Sequence, residues 1–442
     1  MSKKKRRIMA AGLVVGLIVS LSVYFGLLAD RGTPPFDAKA VYSLSVAQGE
    51  NVDARYATAA DFNGDGRKEV LVSYDVYFYE QQMTEGGVHI TINSKEGKLE
   101  IFSRNATGDF QELWEYDSGL TRQTAATGDF NGDGRPDIVV GGFKVENVDA
   151  FPPSDTSLVE VLLQEGDGAF YKAFSSEIPA FFGPGSIVAG DFDGDDRIDF
   201  VLGGLAVGSE STWHAYLFHN GGAGDFAMSP IALRKGIIVQ DMWKADINDD
   251  GSLDLVIQAT DLGSQINSII LLSNDGRGEF GFQELAVPAD SMIIEDFAGD
   301  GYPDILYTES EQSGDKVYFL PNDKGESAEP EPVAVPSEGR ITGMVYAEFD
   351  NDNTLALLLL ESRVEFSEEE AQINLIEHLF LIKKSAEGGL SFTPKWSHGL
   401  LVGEDISSGH GLIATDINND GRSDLILISG GGQVYLALNR HN

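Results

Sequence analysis

Cysteine is absent from this chain. Its absence excludes a disulfide framework, cysteine-ligated zinc and thiol catalysis, and leaves the redox compartment open. Basic residues are scarce: 31 Lys and Arg face 70 Asp and Glu, a net charge of −39. Five of those basic residues are crowded into Lys3, Lys4, Lys5, Arg6 and Arg7, so the rest of the chain carries 26 against 70, a balance of −44. Such a surface repels nucleic-acid phosphates and anionic lipid, and nucleic acid is not an expected partner.

Catalytic signatures are missing too. There is no nucleophile elbow, phosphate loop or zinc-helix motif, so no enzyme is expected. The seven histidines are scattered at 89, 214, 219, 378, 398, 410 and 441. His214 and His219 are five apart on a strand-like run, face opposite sides, and read as ordinary surface or core residues. Glu368, Glu369 and Glu370 read as a solvated loop. What the chain does have is 42% hydrophobic and 10% aromatic residues, enough for a large core.

Residues 1–7 read as a cytoplasmic basic tail. Residues 8–29 form an uncharged apolar run of 22 residues, a helix of roughly 33 Å against a hydrocarbon core of about 30 Å. The flanking Lys and Arg keep the N-terminus in the cytoplasm and place the rest of the chain outside. Leu27-Leu28-Ala29 is a poor small-x-small site, so a single-pass anchor is expected, with secretion after signal cleavage as the alternative. Gly12, Gly16 and Ser20 would allow two anchors to pack as a homodimer, although small residues are common in any membrane helix. Residues 30–37 read as a linker.

One pattern recurs through the remainder, residues 38–442. It reads DFNGDGRKEVLV from Asp61, DFNGDGRPDIVV from Asp129, DFDGDDRIDFVL from Asp191 and DINDDGSLDLVI from Asp246. It continues as DFAGDGYPDILY from Asp296, a decayed EFDNDNTLALLL from Glu348, and DINNDGRSDLIL from Asp416. The starts lie 68, 62, 55, 50, 52 and 68 residues apart. Small residues precede each loop, an apolar β-branched run follows it, and a second strand-like run leads to a turn and an aromatic: Phe110, Phe170, Phe226 or Phe280. Four short strands per unit predict an all-β, seven-bladed β-propeller. The last unit stops at its third strand, Gly432 to Asn439, while Ala38 to Ala47 lacks partners. Pairing the two would close the ring and remove exposed edges.

Oxygen-bearing side chains fall at loop positions 1, 3, 5 and 9, with a backbone carbonyl available at position 7. Hard cations such as calcium take six to eight oxygen ligands, and this alternation supplies them. The sets are Asp61, Asn63, Asp65, Arg67 (carbonyl) and Glu69; Asp129, Asn131, Asp133, Arg135 (carbonyl) and Asp137; and Asp191, Asp193, Asp195, Arg197 (carbonyl) and Asp199. Two more are Asp246, Asn248, Asp250, Ser252 (carbonyl) and Asp254, and Asp416, Asn418, Asp420, Arg422 (carbonyl) and Asp424. The fifth loop keeps Asp296, Asp300 and Asp304 but has Ala298 at position 3, so weaker binding is expected. The sixth keeps Glu348, Asp350 and Asp352, has Ala356 at position 9, and is expected to bind nothing. Position 12 is apolar throughout, which excludes an EF-hand. These carboxylates are accounted for by calcium, so no glycosidase pair is inferred.

The loops resemble those of the FG-GAP/VCBS repeat family, whose propellers include the head of integrin α subunits. Gly141-Gly142, Gly203-Gly204 and Phe182-Gly183-Pro184-Gly185 resemble its further signatures. The resemblance implies calcium in the hairpin loops of one face and partners on the opposite face. The expected function is a non-catalytic adhesion or ligand-binding module for an extracellular protein or glycan, with a lectin or, further off, a polysaccharide-processing enzyme as alternatives. Tyr74, Tyr77, Phe78 and Tyr79, with Gln81 and Gln82, suit stacking on sugars or a protein hot spot, or simply strand packing.

Overall fold

In the computed structural model the described residues are 36–439, apart from 45–50, 85–86, 106–107, 145–155, 167, 179–181, 207–212, 312–313, 328, 336–338, 350–354, 368–371, 385–391, 401–411 and 429–431. The anchor read at residues 8–29 lies outside them. Among the described residues no helix is long and apolar enough to cross a membrane.

The chain is an all-β propeller. Six four-stranded antiparallel sheets follow one another along it. Sheet 1 is Asn51–Ala60, Glu69–Thr84, Gly87–Arg104 and Phe110–Asp117; sheet 2 is Leu120–Gly128, Asp137–Lys144, Thr156–Gln164 and Phe170–Ile178. Sheet 3 is Phe182–Gly190, Asp199–Ala206, Trp213–Gly222 and Asp225–Ala232; sheet 4 is Ile237–Ala245, Asp254–Asp261, Asn267–Asn274 and Phe280–Leu285. Sheet 5 is Ser291–Glu295, Asp304–Glu311, Gly314–Leu320 and Glu331–Val333, and sheet 6 is Arg340–Glu348, Leu355–Ser367, Gln372–Lys384 and Phe392–Leu400. A terminal sheet joins both ends of the chain: Leu412–Thr415, Asp424–Ile428 and Gln433–Asn439 accept Phe36–Ser43 as the fourth strand. That strand begins two residues earlier than the sequence suggests, inside the stretch read as linker.

The second strands of sheets 1 to 5 and of the terminal sheet open on a continuous apolar run, such as Ile138-Val139-Val140 or Leu255-Val256-Ile257, that is buried on both faces. Such runs suit a strand covered on both sides, here by the neighbouring sheets. Apolar cores lie between successive sheets from 1 to 6 and between the terminal sheet and sheet 1. The outermost strands alternate instead, with half-buried and exposed residues along Phe110–Asp117. Loop position 2 carries a wholly buried side chain at Phe62, Phe130, Phe192, Phe297 and Phe349. Burying each contributes about 2–3 kcal/mol.

The extra length of units 1 and 6 is spent on long hairpins. The second and third strands of sheet 1 run 16 and 18 residues, and those of sheet 6 run 13 each. Tyr74, from the aromatic run of sheet 1, is fully buried and donates to Glu100 Oε2 at 3.0 Å, so it packs rather than binds.

Candidate metal centres

Each repeated loop among the described residues closes the hairpin between the first and second strands of its sheet, and its side chains fold it from within. In sheet 2, Asp129 Oδ1 accepts from the Asp133 N–H at 2.9 Å and Oδ2 from Gly134 at 2.8 Å. Asn131 Oδ1 accepts from Asp133 at 2.9 Å, and Asp133 Oδ1 from Arg135 at 3.0 Å. The first-position pattern repeats with Asp61, Asp191, Asp246, Asp296 and Asp416. The fifth-position pattern repeats with Asp65, Asp195, Asp250, Asp300 and Asp420. Positions 4 and 6 take positive φ in these loops, filled by Gly, Asn or Asp. These residues tolerate the left-handed region; Asp196 stands where the other described loops have glycine and sits at φ 65°.

Position 9 is different in kind. Asp137, Asp199, Asp304 and Asp424 are fully buried, and Asp254 and Glu69 nearly so. Asp137 Oδ2 accepts from the Phe130 N–H at 2.9 Å, while Oδ1 accepts from Gln164 N–H, at the end of the third strand, at 2.8 Å. Asp199, Asp254 and Asp424 make the same two bonds to position 2 of their own loops and to their third strands, whereas Asp304 accepts from position 3, the Ala298 N–H, and from the Asn322 N–H just past its third strand. Burial pushes these carboxyls up: Asp137, Asp199 and Asp424 to about 6, Glu69 to about 7, with Asp254 and Asp304 shifted the same way. The backbone bonds oppose that shift, and the nearby loop carboxylates add to it. A cation in the loop would relieve both burial and repulsion.

Position 7 serves more than its carbonyl. Arg67 pairs with Asp65 at 2.7 Å and Arg135 with Asp133 at 2.5 Å; Arg197 pairs with Asp195, and Arg422 with Asp420 at 3.5 Å. A metal in these loops competes with its own arginine for the position-5 carboxylate; Ser252 in the fourth loop offers no such competitor. In the fifth loop the Ala298 N–H donates to Asp304 at 2.8 Å, but no side-chain oxygen replaces the missing third ligand. Asp350 and Asp352 of the sixth loop lie outside the described residues.

The third loop fits a cation most directly. Asp191, Asp193 and Asp195 bring ligand atoms within 4.8 Å of one another. Asp193 Oδ1 is buried with no hydrogen-bond partner. Its other oxygen lies 3.0 Å from His219 Nδ1, and His219 Nε2 lies 3.0 Å from Ser229 Oγ. Asp193, Asp199 and His219 form a second converging group. His219, read in sequence as an ordinary surface or core histidine, is thus hydrogen-bonded on both ring nitrogens. It lies beside Asp193 and Asp199 from the third strand of the same sheet.

A second feature escaped the sequence reading. The asparagine that ends a third strand locks its sheet to the previous loop. Asn220 Nδ2 donates to Phe130 O, Asn274 to Phe192 O and Asn322 to Ile247 O, each at 2.8 Å. Gln164 bonds Phe62 O and Asn439 bonds Phe349 O in the same way. Each position-9 aspartate thus holds a residue that reaches into the loop of the sheet before it. Arg104 occupies this place in sheet 1 and donates to Gly108 O at 3.2 Å instead. The signal was present in sequence as Asn before Gly, Asp or Arg at the strand end.

The FG-GAP-like repeat family model matches residues 88–140, which span the last two strands of sheet 1 and the second loop. No curated protein matches the chain. Among solved structures, the rhamnogalacturonan lyase YesW is similar with a TM-score of 0.50 at 12% identity, over 91% of this chain and 75% of that one. At that identity the likeness is one of fold.

Proposed function

We propose that this chain is a calcium-stabilised, non-catalytic ligand-binding propeller, held outside the cytoplasm by a membrane helix at residues 8–29. The terminal sheet serves as its seventh blade. One observation carries the calcium reading: the third loop brings oxygens of Asp191, Asp193 and Asp195 within 4.8 Å of one another, and Asp193 leaves one buried oxygen unpartnered. Calcium would be held by the side chains at positions 1, 3, 5 and 9 and the carbonyl at 7, five sets in full and the fifth loop in part. Its charge would offset carboxylates that otherwise repel one another. An extracellular protein or glycan is the partner.

Calorimetric titration of the full chain in detergent tests this. Several calcium ions bind, and the double change Asp129→Ala with Asp133→Ala removes one site while leaving the rest. Absence of any calcium-dependent heat refutes the reading.

The alternative is a polysaccharide-processing propeller. Its support is that the rhamnogalacturonan lyase has the same fold, and release of sugar products from a polysaccharide would favour it over the binding reading.

A further inference from the structure

The third loop departs from the repeat at a position the others keep. Position 3 is asparagine in sheets 1, 2 and 4 and in the terminal sheet, at Asn63, Asn131, Asn248 and Asn418. Each of these accepts through Oδ1 from the N–H of position 5, at 2.8, 2.9, 3.0 and 2.9 Å in turn. In sheet 3 the place is taken by Asp193, and the Asp195 N–H donates instead to Asp191 Oδ1 at 3.2 Å. Asp193 is therefore released from folding its own loop. An ionised carboxylate offers only lone pairs, so it needs a donor or a cation.

What it meets is a second departure. The residue before the amide that ends the third strand is Leu163 in sheet 2, Ser273 in sheet 4 and Leu438 in the terminal sheet, but His219 in sheet 3. Asp193 Oδ2 lies 3.0 Å from His219 Nδ1. Two atoms bound to one zinc ion at about 2.0–2.1 Å are themselves roughly 2.9–3.4 Å apart, so the pair already has the spacing of two ligands of one ion. The other ring nitrogen, Nε2, lies 3.0 Å from Ser229 Oγ on the outermost strand. A partner at that nitrogen fixes the ring and leaves Nδ1 to a metal, as outer partners of ligating histidines do.

The remaining oxygen of Asp193 points to a ligand independently. Oδ1 is buried and has no hydrogen-bond partner, a penalty that a bound cation removes. The loop's own cation does not fill the place: Arg197 pairs with Asp195 and donates to Asn220 O. Asp199 completes a group with Asp193 and His219 whose ligand atoms lie within 4.8 Å of one another. Oxygen-only sets suit hard ions such as calcium, whereas an imidazole nitrogen beside carboxylates suits zinc. The His219 and Asp193 side chains are 29% and 21% exposed, so an ion can reach them from solvent.

We infer that the third loop binds zinc in preference to calcium, with His219 Nδ1 and Asp193 as the ligands that set it apart and Asp199 beside them. The inference rests on the cation-binding reading above and names the preferred ion at one of its loops. The test is calorimetric titration of the full chain in detergent with zinc, before and after saturation with calcium. One zinc ion is expected to bind at least tenfold more tightly than any calcium ion. His219→Gln should lower that zinc affinity at least tenfold and leave calcium binding at the other loops unchanged. Asp193→Asn gives the loop the asparagine of its neighbours, so the fold survives; it too should lower zinc affinity at least tenfold, with the melting temperature in calcium unchanged. Tight zinc binding that survives both substitutions belongs elsewhere on the chain and overturns the inference. A parent that binds calcium but has no tight zinc site overturns this inference alone, whereas a parent that binds neither ion overturns the calcium reading with it.

Discussion

The two ends of the first strands obey opposite rules. At the loop end the same bonds recur: position 1 to the N–H groups of positions 5 and 6 in every described loop, and position 9 to position 2 and to the third strand in sheets 2, 3, 4 and the terminal sheet. At the opposite end a break in strand register recurs, a bulge six residues before loop position 1, but the residue at it changes: Arg55, Gln123, Gly185, Gln240. Repetition of chemistry marks what every sheet needs in order to stack. Repetition of backbone with varied chemistry marks a surface that can be specialised.

The first way to break this comparison is to cut the loop end at its buried carboxylate. Asp137→Ala leaves the Phe130 and Gln164 N–H groups buried and unpartnered, and should cost about 3 kcal/mol by denaturant unfolding, whereas Gln240→Ala at the bulge end should stay within about 0.5 kcal/mol. Comparable losses at both ends would erase the distinction. A smaller effect is expected at the lock between sheets. Asn274→Ala removes the bond to Phe192 O and should cost about 1–2 kcal/mol, although Asn274 touches no loop position that would hold metal in sheet 3.

The smallest effect belongs to neither end. Glu100, fully buried in sheet 1, accepts from the hydroxyls of Tyr42 and Tyr74, and burial pushes its carboxyl up. A carboxyl raised on folding binds its proton more tightly in the native state, so its stabilisation is complete below the unfolded value of about 4.3 and is lost as pH rises through the folded value. Glu100→Gln should therefore flatten that pH dependence and raise the melting temperature by about 1–2 °C at pH 8. A variant less stable than the parent at pH 8 would show that the charge is favourable there.

The loop end was legible in sequence because its interactions are local. Asp129, Asn131, Asp133 and Asp137 satisfy N–H groups within seven residues of themselves, and spacing alone reveals such a pattern. The paired chain ends were legible as well, since three strands at one terminus and one at the other leave matching unsatisfied edges. The bulge end was not. Arg122 is no turn former, and its left-handed backbone, at φ 51°, depends on Asp75, 47 residues away on another sheet. The contact of His219 was out of reach for the same reason: its partner Asp193 lies 26 residues off, across a strand pairing that no local pattern encodes.

The central claim is that ions at the loop end hold the sheets together. The most direct measurement is the melting temperature of the full chain in chelator, and again after calcium is returned in excess. Ligands that bind only the native state stabilise it by mass action, so the temperature should fall by several degrees in chelator and recover with calcium. An identical transition in both conditions would contradict the account.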